Sequence, residues 1–180
     1  MEQDFKNYNA LAAAIYEQNK AVGWWDNPDR CLFECLQLVS TEVAEATEAE
    51  RKDLQDDHLP HRKGGEVELA DAMIRVLDLG GRLDLEHDGA VLPAHQYGGS
   101  LASRHLTINR CVLGMADALY ANLGAPVVRR QYSRLVNTIE AVAFELGYDL
   151  YGALLEKLDY NRKRADHKRE NRAKPGGKAF

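Results

Sequence analysis

Four acidic side chains form two pairs with the same spacing. The first pair is Glu42 and Glu45, and the second is Glu68 and Asp71. Residues three positions apart share one face of an α-helix, about one turn from each other. On two facing helices these like charges would repel, and burial would make each charge costlier, so a divalent cation would resolve the conflict. Because carboxylate oxygens suit Mg²⁺ and Mn²⁺, the two pairs predict a metal site.

The segment between the pairs predicts how they meet. It is rich in charge and contains Pro60, Gly64 and Gly65, which interrupt helical structure. Such a link allows the flanking helices to fold back antiparallel and brings the four carboxylates to one volume. Apolar residues run beside the first acidic pair, namely Leu36, Val39, Val43 and Ala46. We therefore expect Glu42 to lie at the edge of a buried surface.

The alternative is an acidic surface that faces solvent. The third predicted helix carries a continuous polar stripe of Glu68, Asp71, Arg75, Asp78 and Arg82. Stripes of this kind are common on the solvated face of an amphipathic helix. The apolar residues beside the first pair, and the turn-like link between the pairs, favour the convergent site over the solvated surface.

Apolar periodicity and helix-breaking residues predict six helices and no strand of useful length. The predicted helices cover residues 2–20, 28–52, 66–83, 106–123, 128–146 and 150–164. Asn27 is the predicted N-cap of the second helix. Residues 86–103 are predicted to form a long loop. His87, His95 and His105 are interpreted as loop residues because their spacing is too irregular for a metal site.

The composition predicts one cytoplasmic domain. The chain has 180 residues, 45% hydrophobic content and a net charge of −5, which suits a single core over residues 1–165 with a basic, flexible tail at 166–180. It lacks the run of about 20 apolar residues that a membrane span needs, and its N-terminus lacks a signal-peptide profile. Three cysteines are an odd number and favour reduced thiols. The mild acidity argues against wholesale nucleic-acid binding.

Three segments in order resemble the MazG-like, all-α NTP pyrophosphohydrolases. They are Glu42-Val-Ala-Glu45, Glu68-Leu-Ala-Asp71 and the run Glu-Lys-Leu-Asp-Tyr-Asn-Arg-Lys-Arg at residues 156–164. The resemblance covers residues 1–85 and 135–165, whereas residues 86–130 look like an insertion. It implies an all-α, MazG-like helical bundle with an inserted loop and an extra helix.

The resemblance also implies roles for individual residues. The catalytic and metal-binding residues, with Mg²⁺ or Mn²⁺ as cofactor, would be Glu42, Glu45, Glu68 and Asp71. The residues that reach the triphosphate would be Lys157, Asn161 and Arg164, which share one face of the last predicted helix. An aromatic residue helps to form the base pocket in this family, and the candidates are Trp24 and Trp25. Weaker candidates are Arg30 and Lys63 for phosphate and Glu48 for orienting water.

The implied reaction cleaves a nucleoside triphosphate between its α- and β-phosphates and releases pyrophosphate. The run from Glu68 to Asp78 is similar to small phage-encoded members of the family. Some of these hydrolyse dGTP or GTP, and one kind supplies dGMP for the synthesis of 2-aminoadenine genomes. The resemblance thus implies (d)GTP hydrolysis in nucleotide metabolism, in the host cytoplasm if the chain is phage-encoded. Asp78 would accept N1–H and N2–H of guanine.

Two other functions stay open at this stage. A dUTPase or dCTPase of the same helical superfamily is the nearest enzymatic alternative, and a non-catalytic helical interaction module is the other. By resemblance we also expect a homodimer or homotetramer that completes its core across a two-fold interface. Apolar surface for that interface is expected from Tyr120, Tyr132, Tyr148 and Tyr151.

Overall fold

The computed structural model describes residues 7–89 and 100–164, and it is all-α over these ranges. The six helices are α1 (Tyr8–Ala21), α2 (Leu32–Arg51), α3 (Gly64–Arg82), α4 (Leu101–Tyr120), α5 (Ala125–Glu145) and α6 (Leu150–Lys163). The predicted all-α class is confirmed. The described ranges hold no strand, and their one isolated bridge pairs Gln55 with Lys63. None of the helices described is long and apolar enough to cross a membrane.

Helix α3 is the centre of the bundle. It packs against α1, α2, α5 and α6, while α4 lies outside and packs against α2 and α5. Leu69, Met73 and Leu77 of α3 are completely buried, as its apolar period predicts. Because α3 is enclosed on most sides, its buried polar residues must face a partner or a cavity.

The link between α2 and α3 is a compact reversal. The backbone amide of Gly64 donates to the carbonyl of Leu54 at 2.9 Å, and that of Asp56 donates to the carbonyl of Arg62 at 3.1 Å. Gly64 opens α3 instead of preceding it, so the helix starts earlier than predicted. A Cβ atom on Gly64 would lie 2.8 Å from the Cβ of Ala49, so glycine permits the close approach of α2 and α3.

The predicted start of α2 is wrong. The helix begins at Leu32, and Cys31 occupies its N-cap position without a side-chain hydrogen bond. The side chain of Asn27 accepts a hydrogen bond from the amide of Asp29 at 3.0 Å, so it closes a local turn. An Asx turn satisfies the same kind of donor as an N-cap, and the two are hard to distinguish by residue type.

Helix α4 begins earlier than predicted. The side chain of Ser100 caps it by accepting from the amide of Ser103, and the predicted loop therefore ends before Leu101. The interpretation of His105 as a loop residue is wrong, since it lies buried in α4 with Nδ1 2.7 Å from the hydroxyl of Thr47. His87 does follow α3 in a loop. His95 and the tail from residue 165 onward lie outside the described residues.

Tyr132 and Gly80 fit together where α5 crosses α3. Tyr132 is completely buried, so it belongs to the core and not to an interface surface. A Cβ atom on Gly80 would lie 2.5 Å from the phenol oxygen of Tyr132. The absence of a side chain at Gly80 thus makes room for the aromatic ring.

We predict that Gly80→Ala lowers the free energy of unfolding by about 1–3 kcal/mol, because the buried ring has no space into which to move. Gly114→Ala is the matched control, since it also lies in a helix and its added Cβ would meet only the flexible end of Gln131 at 3.1 Å. There the higher helix propensity of alanine should leave stability unchanged or raise it by up to about 1 kcal/mol. Urea denaturation monitored by circular dichroism measures both. Equal effects at the two sites would contradict the packing argument.

Candidate functional site

A cavity of about 400 Å³ opens between α1, α2, α3 and α6. The connecting segments add Trp24 and His58 to its wall. Its lining combines polar and charged residues of α2, α3 and α6 with Trp24 and several aliphatic side chains. A volume of this order suits a small-molecule ligand.

Three carboxylates meet on one wall of the cavity. Oxygen atoms of Glu42, Glu68 and Asp71 all lie within 4.8 Å of one another. Glu45 also lines the cavity, but it is exposed and lies outside this group. The structure thus brings three of the four predicted ligands together and leaves Glu45 at the rim. We call Glu42, Glu68 and Asp71 the acidic cluster.

Burial and mutual repulsion make the acidic cluster costly to ionise. Burial, followed by the charge of Asp71, raises the pKa of Glu68 to about 8. Burial also raises the pKa of Asp71 to about 6, against the opposing effect of Lys157. A cation bound beside such crowded carboxylates would favour their ionised form and lower their pKa values. The donor set consists of hard oxygen atoms, so it fits a divalent cation such as Mg²⁺ or Mn²⁺.

Lys157 projects from α6 into the acidic cluster. Its ammonium lies 2.9 Å from Oδ2 of Asp71 and 4.0 Å from Oδ2 of Asp56, and the residue is only 3% exposed. Burial favours the neutral amine, but the surrounding carboxylates outweigh it and raise the pKa of Lys157 overall. The predicted phosphate ligand is therefore a buried, charged lysine that pairs with a candidate metal ligand. The participation of Asp56 was not predicted.

Arg62 anchors the helix that carries Lys157. Its guanidinium contacts Glu156 at 2.8 Å, Glu66 at 3.1 Å and Asp149 at 3.3 Å. The first contact is to the residue directly before Lys157, so the anchor fixes which face of α6 meets the cavity. Sequence reasoning missed Arg62 because the link that contains it shows no periodicity.

The two adjacent tryptophans have different positions. Trp24 is buried and lines the cavity, with the guanidinium carbon of Arg30 at 4.1 Å from its ring centroid and that of Arg75 at 5.4 Å. The part of Trp25 in the base pocket stays a prediction, because Trp25 lines not this cavity but a small adjoining pocket that shares Trp24 and Asp78 with it. Its indole nitrogen instead donates to Oδ1 of Asp78 at 3.0 Å. Trp25 therefore orients a residue of the cavity wall.

Asp78 and Arg75 extend the polar wall along α3. Asp78 is buried, and that burial raises its pKa to about 6 although hydrogen bonds from Trp25 and Asn19 oppose the shift. Arg75 donates to Oε1 of Glu42 at 3.0 Å. The polar stripe of α3 thus faces the cavity at these positions, in contrast to the solvated alternative.

Two further predicted residues, one in the last turn of α6 and one just after the helix, reach the cavity. Asn161 and Arg164 both line it. Oδ1 of Asn161 is buried, and within the described part of the chain it has no hydrogen-bond partner. His58 also lines the cavity and packs on Tyr160 with ring centroids 4.6 Å apart. The irregular spacing of the histidines gave no signal for His58.

The weaker candidates lie elsewhere. Lys63 pairs with Asp53 at 2.6 Å, and Glu48 pairs with Lys52 at 2.6 Å. Neither lines the cavity, so the structure adds no support to their roles with phosphate and water, which stay predictions. Arg30 stacks on Trp24 without lining the cavity itself. Nearby charges satisfy Lys63 and Glu48 on the surface, which spacing along the sequence could not reveal.

Comparison with known proteins brings no match. No protein-family profile, no curated protein and no solved structure matches this chain. The acidic cluster, the buried Lys157 and the wall formed by Trp24 and Asp78 are therefore the ground for a functional assignment.

We expect the wild type to lose stability as the pH rises from 4 to 7, and we predict that Asp78→Asn makes this loss smaller. The carboxyl has a pKa of about 6 in the folded chain and 3.8 as its ordinary value. The folded state thus binds this proton more tightly than the unfolded state does. The protonated carboxyl therefore stabilises the fold fully below its ordinary pKa, and this stabilisation is lost as the pH rises through 6. That difference corresponds to at most about 3 kcal/mol.

Chemical denaturation of the metal-free protein across this pH range measures the effect. The control is Asp29→Asn, which removes an exposed carboxylate and should leave the pH profile unchanged. If the free energy of unfolding of Asp78→Asn falls with pH as steeply as that of the wild type, Asp78 titrates as an exposed acid.

Proposed function

We propose that the chain is a metal-dependent nucleoside triphosphate pyrophosphohydrolase. It would convert a (d)NTP and water into a (d)NMP and pyrophosphate. The observation that carries the proposal is the convergence of Glu42, Glu68 and Asp71 beside the buried Lys157 in one cavity. The resemblance to the MazG-like enzymes, which rests on the same residues, agrees with the proposal.

The acidic cluster would hold Mg²⁺ or Mn²⁺, with Glu45 available at the rim of the cavity. A bound divalent cation neutralises phosphate charge and lowers the pKa of an attacking water. The raised pKa values of Glu68 and Asp71 fit this role, because a bound cation would favour the ionised form of both carboxyls.

The cationic side chains would bind the triphosphate. Lys157 lies at the acidic cluster and would provide a point charge to a phosphate oxygen. Arg164 lines the same cavity from the end of α6. Between them, the amide of Asn161 offers both a donor and an acceptor. Arg75 lies between Glu42 and Trp24, so its guanidinium separates the acidic cluster from the aromatic wall.

The part of the cavity that Trp24 and Asp78 line would bind the base. Trp24 supplies a face on which any base can stack, and larger rings gain more contact. Asp78 supplies a fixed acceptor, held by Trp25, and it is ionised above pH 6. A carboxylate can accept both N1–H and N2–H of guanine but finds no such pair on adenine. We therefore propose (d)GTP as the preferred substrate.

A non-catalytic interaction module is less well supported. That function requires the acidic stripe to face a partner, yet Asp78 and Lys157 are buried inside the cavity wall. A dUTPase or dCTPase would use the same acidic cluster, and only the base-binding part of the cavity would differ. The proposed setting is the cytoplasm, in nucleotide metabolism.

We predict that Asp71→Asn and Glu68→Gln each lower the rate of pyrophosphate release at least about 100-fold. Each variant replaces a carboxylate of the acidic cluster by a neutral amide. Glu45→Gln makes the same change at the rim and should have a smaller effect. Glu48→Gln is the matched control, because it makes the same change on the surface of α2.

The rise in melting temperature with Mn²⁺ alone is the second measurement. It should be lost in Asp71→Asn and Glu68→Gln and kept in Glu48→Gln. Circular dichroism checks that all variants retain the helical fold. Full activity in both cluster variants would refute the metal-site assignment.

We predict that guanine nucleotides lead a substrate panel. The measurement is kcat/KM for dGTP, GTP, dATP, dCTP and dUTP at one Mn²⁺ concentration. In Asp78→Asn the preference for guanine over adenine should fall by at least about tenfold, because a site that hydrogen-bonds its substrate loses discrimination with its acceptor. If a pyrimidine leads, the base assignment is wrong while the reaction class stands. If no nucleotide is hydrolysed, the enzymatic proposal itself fails.

A further inference from the structure

His58 reaches the cavity from the link between α2 and α3. It lines the cavity and is exposed, so its imidazole is accessible to a bound ligand. Its ring lies against that of Tyr160, with the two centroids 4.6 Å apart. Within residues 7–89 and 100–164 the ring nitrogens of His58 have no hydrogen-bond partner. An imidazole donates from one nitrogen in either neutral tautomer, so His58 offers the cavity a donor that the protein itself does not use.

Asp56 holds the backbone of His58 in place. Its Oδ1 accepts from the amide of His58 at 2.9 Å and from that of Leu59 at 2.7 Å. Its Oδ2 lies 4.0 Å from the ammonium of Lys157, and the residue is only 6% exposed. A turn closed by an aspartate in this way has a defined backbone shape. One buried carboxylate therefore joins the turn that carries His58 to the lysine beside the acidic cluster.

His61, three residues further along the same link, lies in a different setting. Its Nε2 is 2.7 Å from Oε2 of Glu156, and it does not line the cavity. The two histidines have the same chemistry and belong to one short segment, yet only His58 faces the ligand volume. His61 is therefore a matched control for His58.

The link and the segment that carries Trp24 lie at opposite ends of the α2–α3 pair. Trp24 precedes α2, and it shares a small pocket with Asp78 near the C-terminal end of α3. His58 follows α2 and precedes α3. Because the two helices fold back antiparallel, the link lies beside the beginning of α3. Asp71 of the acidic cluster lies between the two ends, since it precedes Asp78 by about 10.5 Å along the helix.

A nucleoside triphosphate has its base at one end and its terminal phosphate at the other. With the base on Trp24 and the middle of the molecule at the acidic cluster, the terminal phosphate comes toward the link. We propose that the imidazole of His58 donates a hydrogen bond to this terminal phosphate, and that the ring of Tyr160 orients the imidazole. Phosphate oxygens are strong acceptors, so they complement the unused donor. The role of His58 rests on the proposed function, and it lets the site select a triphosphate over shorter phosphate chains.

The contact is remote from the bond that is cleaved. The proposed reaction breaks the bond between the α- and β-phosphates, whereas His58 holds the γ-phosphate. An interaction made equally in the bound substrate and in the transition state lowers KM without raising kcat. His58→Ala should therefore raise KM for dGTP at least about tenfold, as expected for a hydrogen bond to a charged group, and change kcat by less than about twofold.

Binding of the two products tests the contact without turnover. Isothermal titration at one Mg²⁺ concentration measures the Kd of pyrophosphate and the Kd of dGMP for the wild type, His58→Ala and His61→Ala. Pyrophosphate contains the terminal phosphate and dGMP does not. His58→Ala should therefore weaken pyrophosphate binding at least about tenfold and leave dGMP binding unchanged. His61→Ala should bind both products as the wild type does, and circular dichroism checks that the variants keep their helices.

The outcomes separate the contact from the enzymatic function. If His58→Ala binds pyrophosphate as tightly as the wild type, or loses affinity for dGMP equally, the proposed contact is overturned. A fall in kcat at unchanged KM would overturn it as well. If pyrophosphate binding depends on His58 but no nucleotide is hydrolysed, the contact stands and the enzymatic function fails.

A double-mutant cycle tests the role of Tyr160 as a positioning residue. Tyr160→Leu removes the ring and should weaken pyrophosphate binding but not dGMP binding, whereas Tyr160→Phe keeps the ring and should bind both as the wild type does. The effect of Tyr160→Leu should be smaller when residue 58 is already alanine, because the two side chains act together. The guanidinium carbon of Arg164 also lies over this ring, 5.7 Å from its centroid. An equal effect in both backgrounds would assign the loss to Arg164 and overturn the positioning of His58 by Tyr160.

Discussion

The ion pair between Lys157 and Asp71 is the interaction on which the cavity depends. It joins α6 to α3 at 2.9 Å in a place from which water is largely excluded. Burying two charges costs several kcal/mol per ion before their attraction is counted, so such a pair adds little net stability. Its effect is geometric, because breaking it would leave an uncompensated charge, and α6 is therefore held in one register. Arg62 supports that register from the surface side of α6.

The second constraint is the close approach of α2 and α3. Gly64 sits against Ala49 where any side chain would collide. Only at that separation do the oxygens of Glu42 and those of Glu68 and Asp71 come within 4.8 Å of one another. Burial in the packed bundle is the largest cause of the raised pKa values of Glu68 and Asp71, and the charge of Glu42 across this contact adds a smaller effect. The site therefore depends on the absence of a side chain at Gly64 as well as on the three carboxylates.

Spacing along the sequence predicted the helices and the cluster, because both follow from a period of 3.6 residues. It could not separate Glu45 from Glu42, because residues three positions apart share one face of a helix and only the packing of α2 against α3 decides which of them reaches the cluster. Nor could it separate Trp24 from Trp25, which lie in an aperiodic segment where only the hydrogen bond to Asp78 decides. Arg62 and Asp56 act across the fold, and no local pattern contains such partners.

One side of α3 faces the cavity, and the other side packs against α5. Asp71 and Asp78 project from α3 into the cavity, whereas Gly80, two residues after Asp78, receives the ring of Tyr132 from α5. Helix α5 in turn packs against α4. Positions 78 and 80 differ by about 200° around a helix, so the wall of the cavity and the contact with α5 lie on nearly opposite sides of α3. The packing of α5 therefore fixes the position of α3 without occupying the side that carries the acidic residues.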